Sequence, residues 1–315
     1  MISLKRFFFL TLAVLFAITC AVLPASAQVR TPRPSQKASV MQTIGVTDIT
    51  IVYSRPPVKS RTIFAEAPAS MAARAKGEAT LDNQNLRQKG EPIVPWGHVW
   101  RAGANEATQF MVTDDVLING QPLKAGSYSL HMIPTPDEWT VIFNKDDGQW
   151  GSFTYDAAKD ALRVKAKPQM VADNQEWLVY SFDPVTDNSA QINIRWEKVR
   201  VPFTVEVKDV RAVTLEKLRA TVAAAKSDDW RTPLQAANYA IQNKDVEEGM
   251  GWLNQSIKVK ETFQNLSAKA VALFNAGLKD EAFAVADQAI QRGKADKVDT
   301  AAFEKRVANM KAGKM

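Results

Sequence analysis

The hydrophobic periodicity of this chain changes once, near residue 211, and that change limits the folds open to it. Up to about Val207 the apolar positions fall in short, β-branched and aromatic runs; afterwards they recur at helical spacing. Ile49-Thr50-Ile51-Val52-Tyr53 has strand composition, and Asn119-Gly120 between Val116–Ile118 and Gln121–Leu123 has the positive-φ preference of a two-residue hairpin turn. Ser127–Ile133, Trp139–Phe143, Leu162–Ala166, Trp177–Phe182, Ile192–Trp196 and Phe203–Val207 read as further strands, with Trp139 and Trp177 facing the core. Many short strands without intervening helices predict antiparallel sheets packed as a sandwich over 38–210, followed by helices over 211–315, an α+β arrangement.

In the second part, Val246, Met250, Leu253 and Ile257 form one apolar stripe, and Phe303, Val307 and Met310 form another. A shift of 33 residues superimposes Ala237 on Ala270, Gly249 on Ala282 and Ile257 on Ile290. A helical hairpin repeated at that length, with small residues where helices touch, resembles a tetratricopeptide repeat. The tryptophan and proline of the full repeat pattern are missing. Such a tail offers a surface for a protein partner.

Lys5 and Arg6, the apolar run Phe7–Leu23 and the small residues Ala25-Ser26-Ala27 make up a secretory leader with a cut after Ala27. A periplasmic or secreted product follows, with a Pro-rich lead-in over 28–37. Cys20, the single cysteine, lies inside that leader behind Ala17-Ile18-Thr19, a poor lipobox, so disulfides do not hold the rest. No later run is long enough to span a bilayer. The formal charge of +6 includes Lys5 and Arg6; acids and bases balance over 28–210, and the remaining excess is spread along 211–315. No basic cluster of the kind that binds phosphates is present, which speaks against nucleic acid as a partner.

The densest chemistry lies in Trp96-Gly97-His98-Val99-Trp100-Arg101-Ala102-Gly103-Ala104-Asn105-Glu106-Ala107-Thr108, a stretch with no simple period. Together with Tyr53-Ser54-Arg55-Pro56, Ala125-Gly126-Ser127-Tyr128-Ser129-Leu130, Trp139–Lys145, Trp150-Gly151 and Val201–Val205, it resembles the DUF2911 family, and similarity continues into the helical tail. That resemblance implies an exported bacterial protein and carries no defined activity. Two features depart from the family pattern. Residues 65–91 look like an inserted surface loop, with helical character over Glu66–Lys76, and His98 and His131 stand where other residues are usual.

Arg55, Trp96, Trp100, Arg101, Asn105, Glu106 and Thr108 are the candidate ligand-binding residues. Arginine supplies a bidentate fork, asparagine a donor and an acceptor, glutamate an acceptor, and an indole an apolar wall. The competing expectation is an Arg101–Glu106 salt bridge inside a polar network that fixes the fold, with Asn105 bonding backbone and Arg55 ending a strand.

No catalytic constellation is evident: there is no G-x-S-x-G elbow, and neither histidine has an obvious partner. Asp146-Asp147-Gly148 reads as a turn rather than a calcium loop, and no metal site or cofactor is expected. The sequence therefore points to a non-catalytic exported protein with a binding or assembly role. A carbohydrate or small-molecule binding module and a hydrolase using Glu106 and Arg101 are the alternatives.

Overall fold

The computed structural model describes residues 31–72 and 88–314; the expected leader and most of the expected inserted loop lie outside this range. Twelve strands and six helices carry the fold among the described residues, beside a single helical turn at Ala69–Ala72 and a short 3-10 turn at Ala157–Lys159.

Strands β1 (Gln36–Ile44), β2 (Thr47–Arg55), β5 (Thr108–Val112), β8 (Gly126–Ile133), β9 (Trp139–Asn144) and β10 (Asp160–Ala166) form one sheet in that order. All its neighbours are antiparallel. A second antiparallel sheet orders β11 (Gln169–Val185), β12 (Ser189–Glu206), β6 (Val116–Ile118) and β7 (Gln121–Leu123). Their inner faces share one apolar core. Phe143 of the first sheet packs edge-on against both Phe110 at 5.0 Å and Phe203 of the second sheet at 6.3 Å.

The expected hairpin is present: Asn119 and Gly120 have φ of 45° and 79° between β6 and β7. Two expected strands, 192–196 and 203–207, are one continuous strand, β12. Glu197 takes a positive φ where the register of β11 against β12 shifts, so a bulge bends the strand without ending it. Trp139 is buried as expected, but Trp177 is only half-buried. The pleat turns Leu178 and Tyr180 inward, so their neighbour Trp177 points to the other face.

The lead-in also differs from expectation. Gln36 and Lys37 already belong to β1, paired with Arg55 and Ser54, so order begins before residue 38. The chain on either side of the segment expected to be an insertion, 65–91, meets in a small parallel pair, β3 (Phe64–Ala65) with β4 (Val94–Pro95). Val94 N–H donates to Ile63 O at 2.8 Å and Trp96 N–H to Ala65 O at 2.9 Å. The chain therefore leaves and re-enters the sandwich at one place.

Helices α1 (Val210–Ala223), α2 (Arg231–Gln242), α3 (Val246–Val259), α4 (Phe263–Asn275), α5 (Lys279–Ala295) and α6 (Ala301–Lys311) follow. Helix α1 starts on an Asp209 cap and joins the sandwich. Val210 touches the β1–β2 turn so closely that a Cβ on Gly45 would lie 2.3 Å from its Cγ1, and Lys217 pairs with Asp114 at 2.6 Å.

The 33-residue offset relates the hairpins α2–α3 and α4–α5. Ala237 and Ala270 are both fully buried, and Gly249 and Ala282 are both buried. On α3 the buried line is Gly249, Trp252, Leu253 and Ser256, not the expected Val246–Met250–Leu253–Ile257 stripe. The small residues on this line let α2 approach, which rotates the buried face away from Val246. Ser256 also anchors a polar joint: it donates to Trp230 O at 2.7 Å and accepts from Asn265, whose amide completes the capping box of α4.

Candidate functional site

Residues 96–107 leave β4, bridge to β8 through Trp100 and Met132 and lead into β5 without forming a strand or helix of their own. Gly97, Ala102 and Asn105 all have positive φ, which glycine adopts freely but which Ala102 keeps only where surroundings over-determine it. Several bonds do so. Trp100 exchanges backbone hydrogen bonds with Met132 at 2.8 Å each way, and Thr108 N–H donates to Arg101 O at 3.1 Å. The Ala102 carbonyl accepts from the Thr108 hydroxyl at 2.9 Å and from the Tyr180 hydroxyl at 2.8 Å. At Gly103 a Cβ would lie 2.8 Å from Thr108 Oγ1, so only glycine fits.

These bonds settle the environment of three candidates. Trp100 is 4% exposed, stacks on Trp196 at 6.0 Å and donates its indole N–H to Gly103 O. It is a core side chain rather than a pocket wall. Thr108 is fully buried. Arg101 is 9% exposed, donates to Asn105 O at 2.7 Å and lies against Gly151, with Phe153 over its guanidinium at 5.7 Å.

Beneath Arg101 lies a polar cluster that the sequence did not single out. His131 is fully buried on β8, its Nε2 3.2 Å from the Ser129 hydroxyl and its Nδ1 3.3 Å from the Ser152 hydroxyl. Ser129 donates its own proton to Asp146 O at 2.8 Å. The imidazole Nε2–H must therefore donate to Ser129, leaving Nδ1 to accept from Ser152. Burial, then the nearby Arg101 charge, push the imidazole down to about 3, against a smaller opposing pull from Asp146. The Ser152–His131 pair has the spacing of a nucleophile and base, but both are sealed from solvent and the imidazole is a very weak base. Beside it, Tyr155 donates to Asp160 at 2.8 Å, and Arg163 and Asn144 converge on the same carboxylate.

The other candidates are more open. Glu106 does not pair with Arg101; it pairs with Arg33 of the lead-in at 2.6 Å. Burial would raise its carboxyl, but the Arg33 bond, its own backbone N–H and the nearby positive charges of Arg33 and Lys37 hold it below the usual carboxylate range. Asn105 donates its amide to Ser35 O at 3.1 Å. Glu106 forms a backbone bridge with Trp150, which is 52% exposed and carries the Arg33 guanidinium 5.9 Å from its ring centre.

Trp96 is half-buried and stacks on Phe64 at 5.7 Å beside the β3–β4 pair. Arg55 donates to Leu178 O at 2.8 Å and ties the two sheets together. The structure thus gathers Arg101, Asn105, Glu106 and Thr108 into one knot, and commits Trp100 and Arg55 to packing and sheet contacts.

Sequence reasoning missed Arg33, Ser129, Ser152, Trp150 and Phe153 as neighbours of the knot. Only Ser129 and Trp150 carried a signal, through the family resemblance. Among the described residues, no group of three or more histidines, cysteines, aspartates and glutamates is placed to hold a metal ion, and no helix is long and apolar enough to cross a membrane.

The family model described as "Protein of unknown function (DUF2911)" matches residues 35–205, which takes in the sandwich and the whole knot and stops short of the helices. No curated protein and no solved structure matches the chain.

Proposed function

The chain belongs to the DUF2911 family, and from that premise we propose that it is an exported, non-catalytic binding protein of the cell envelope. The observation that carries this reading is the division of the knot. Arg101, Thr108 and Trp100 are spent on internal bonds and packing, while Asn105, Glu106 and Trp150 face one accessible surface. An ionised carboxylate, an amide and an exposed indole suit recognition of a polar small molecule or a carbohydrate. Export is supported by the leader-like composition of residues 1–27.

The hydrolase reading draws less support from this geometry. A general acid needs a raised pKa, and the Glu106 carboxyl is shifted down. Arg101, its supposed partner, donates to a backbone carbonyl and does not reach it.

The tail adds a second surface of the kind that a repeat-like helical array offers a protein partner. A groove of about 430 Å³ is lined from α2, α4 and α6, with Ile241, Ala268 and Val271 as apolar floor and Asn238, Asn275 and Arg306 as polar rim.

Thermal denaturation of the purified protein against panels of sugars, small metabolites and peptides tests the reading, because a ligand of the folded state raises the melting temperature. We expect a stabilising ligand whose effect is lost in Trp150→Ala. Turnover of any substrate that disappears in Glu106→Gln would overturn the non-catalytic assignment.

A further inference from the structure

Residues Thr31-Pro32-Arg33-Pro34-Ser35 lie across the exposed face of the knot. Two prolines flank Arg33, and each fixes its own φ and lacks an N–H donor. Such a segment is held extended at low conformational cost and cannot use those positions to join a sheet. It presents two groups to the surface. The Arg33 guanidinium meets the Glu106 carboxylate at 2.6 Å and lies over Trp150 at 5.9 Å. The Ser35 carbonyl receives the Asn105 amide at 3.1 Å. An acid and a π face for the cation, with an amide for the adjacent backbone, are the elements of extended-peptide recognition.

The fit is incomplete in an informative way. Arg33 engages only Oε1, while Glu106 Oε2 is buried without a hydrogen-bond partner. A guanidinium offers five donors in a fork that can span both carboxylate oxygens, so a ligand free of the chain's tether has a bond to gain that Arg33 does not make.

We propose that Glu106, Trp150 and Asn105 form a receptor for an arginine-bearing extended peptide, and that the chain's own residues 31–35 occupy it as a tethered stand-in. This rests on the reading of that face as a binding surface and names its ligand class. A tethered segment competes at an effective concentration of order millimolar, so an outside peptide must displace it.

The test uses the purified protein with Arg33→Ala, titrated calorimetrically with a synthetic peptide of the sequence Thr31–Lys37. The peptide is expected to bind this variant with a sub-millimolar Kd, and the unaltered protein at least about tenfold more weakly. Binding should fall with added salt, weaken in a Trp150→Ala background, and vanish in a Glu106→Gln background or when the peptide's own arginine is replaced by alanine. No binding to the opened site at millimolar peptide, or binding indifferent to Glu106→Gln, overturns the proposal. If the peptide fails while a sugar or metabolite stabilises the protein through Trp150, the arginine class is wrong and the binding surface stands. If neither binds, both fall. A Glu106-dependent dimer of the unaltered protein in sedimentation would place the lead-in on a second copy and overturn the tethered arrangement.

Discussion

The hydroxyl of Ser152 lies 3.3 Å from Nδ1 of His131, and neither residue is exposed to solvent. This contact joins the loop after β9 to the middle of β8, under the guanidinium of Arg101. It stabilises the fold only while the imidazole is neutral.

That condition gives the first prediction. His131 titrates near 6.5 in the unfolded chain and at about 3 in the folded one. The folded state therefore binds fewer protons below pH 6.5, and stability is lost as pH falls from 6.5 towards 3. At pH 4.5 the loss from this group is about 2–3 kcal/mol. Urea unfolding at pH 7 and 4.5 should show that loss superimposed on other titrations. His131→Asn is expected to be less stable at pH 7 and to show a correspondingly shallower acid dependence.

A second prediction concerns the Ala102 carbonyl, which is buried and accepts from both Thr108 and Tyr180. Thr108→Val or Tyr180→Phe removes one donor and leaves the other, costing about 1 kcal/mol each. The double variant leaves the carbonyl without either donor, so its cost should exceed the sum of the single ones. Additive values in a denaturant-based double-mutant cycle would show that the carbonyl finds another donor.

Two glycines two residues apart on α3 should respond with opposite signs. A Cβ at Gly249 would meet Ile241 Cγ1 at 2.5 Å and Ala237 O at 3.1 Å, whereas at Gly251 it meets nothing within 4 Å. Alanine gains up to about 1 kcal/mol over glycine in a helix interior, and overpacking costs about 1–3 kcal/mol. Gly251→Ala should raise the melting temperature and Gly249→Ala should lower it.

Much of the sandwich was legible because a half-buried strand must alternate, and Asn119-Gly120 marked its hairpin. The helical stripe on α3 was misplaced for a physical reason: periodicity weighs large apolar residues, whereas contact between α2 and α3 is set by Gly249 and the alanines facing it. The knot was visible as a break in period, but its wiring was not. Arg33 lies 73 positions from Glu106, and Tyr180 lies 78 from Ala102. Nothing local in sequence encodes those pairings. His131 looked ordinary because Ser152 lies 21 positions away in another segment, and Ser129, two residues before it, reads as an ordinary strand serine.

The central claim is that the knot has a sealed half that builds the fold and an open half that recognises. Equilibrium unfolding of Arg101→Met beside Glu106→Gln measures this directly. The account predicts a loss of about 2–3 kcal/mol for Arg101→Met, which removes a buried donor, and less than about 1 kcal/mol for Glu106→Gln, whose ion pair is partly exposed. Equal losses in the two variants, or a stable Arg101→Met, would contradict it.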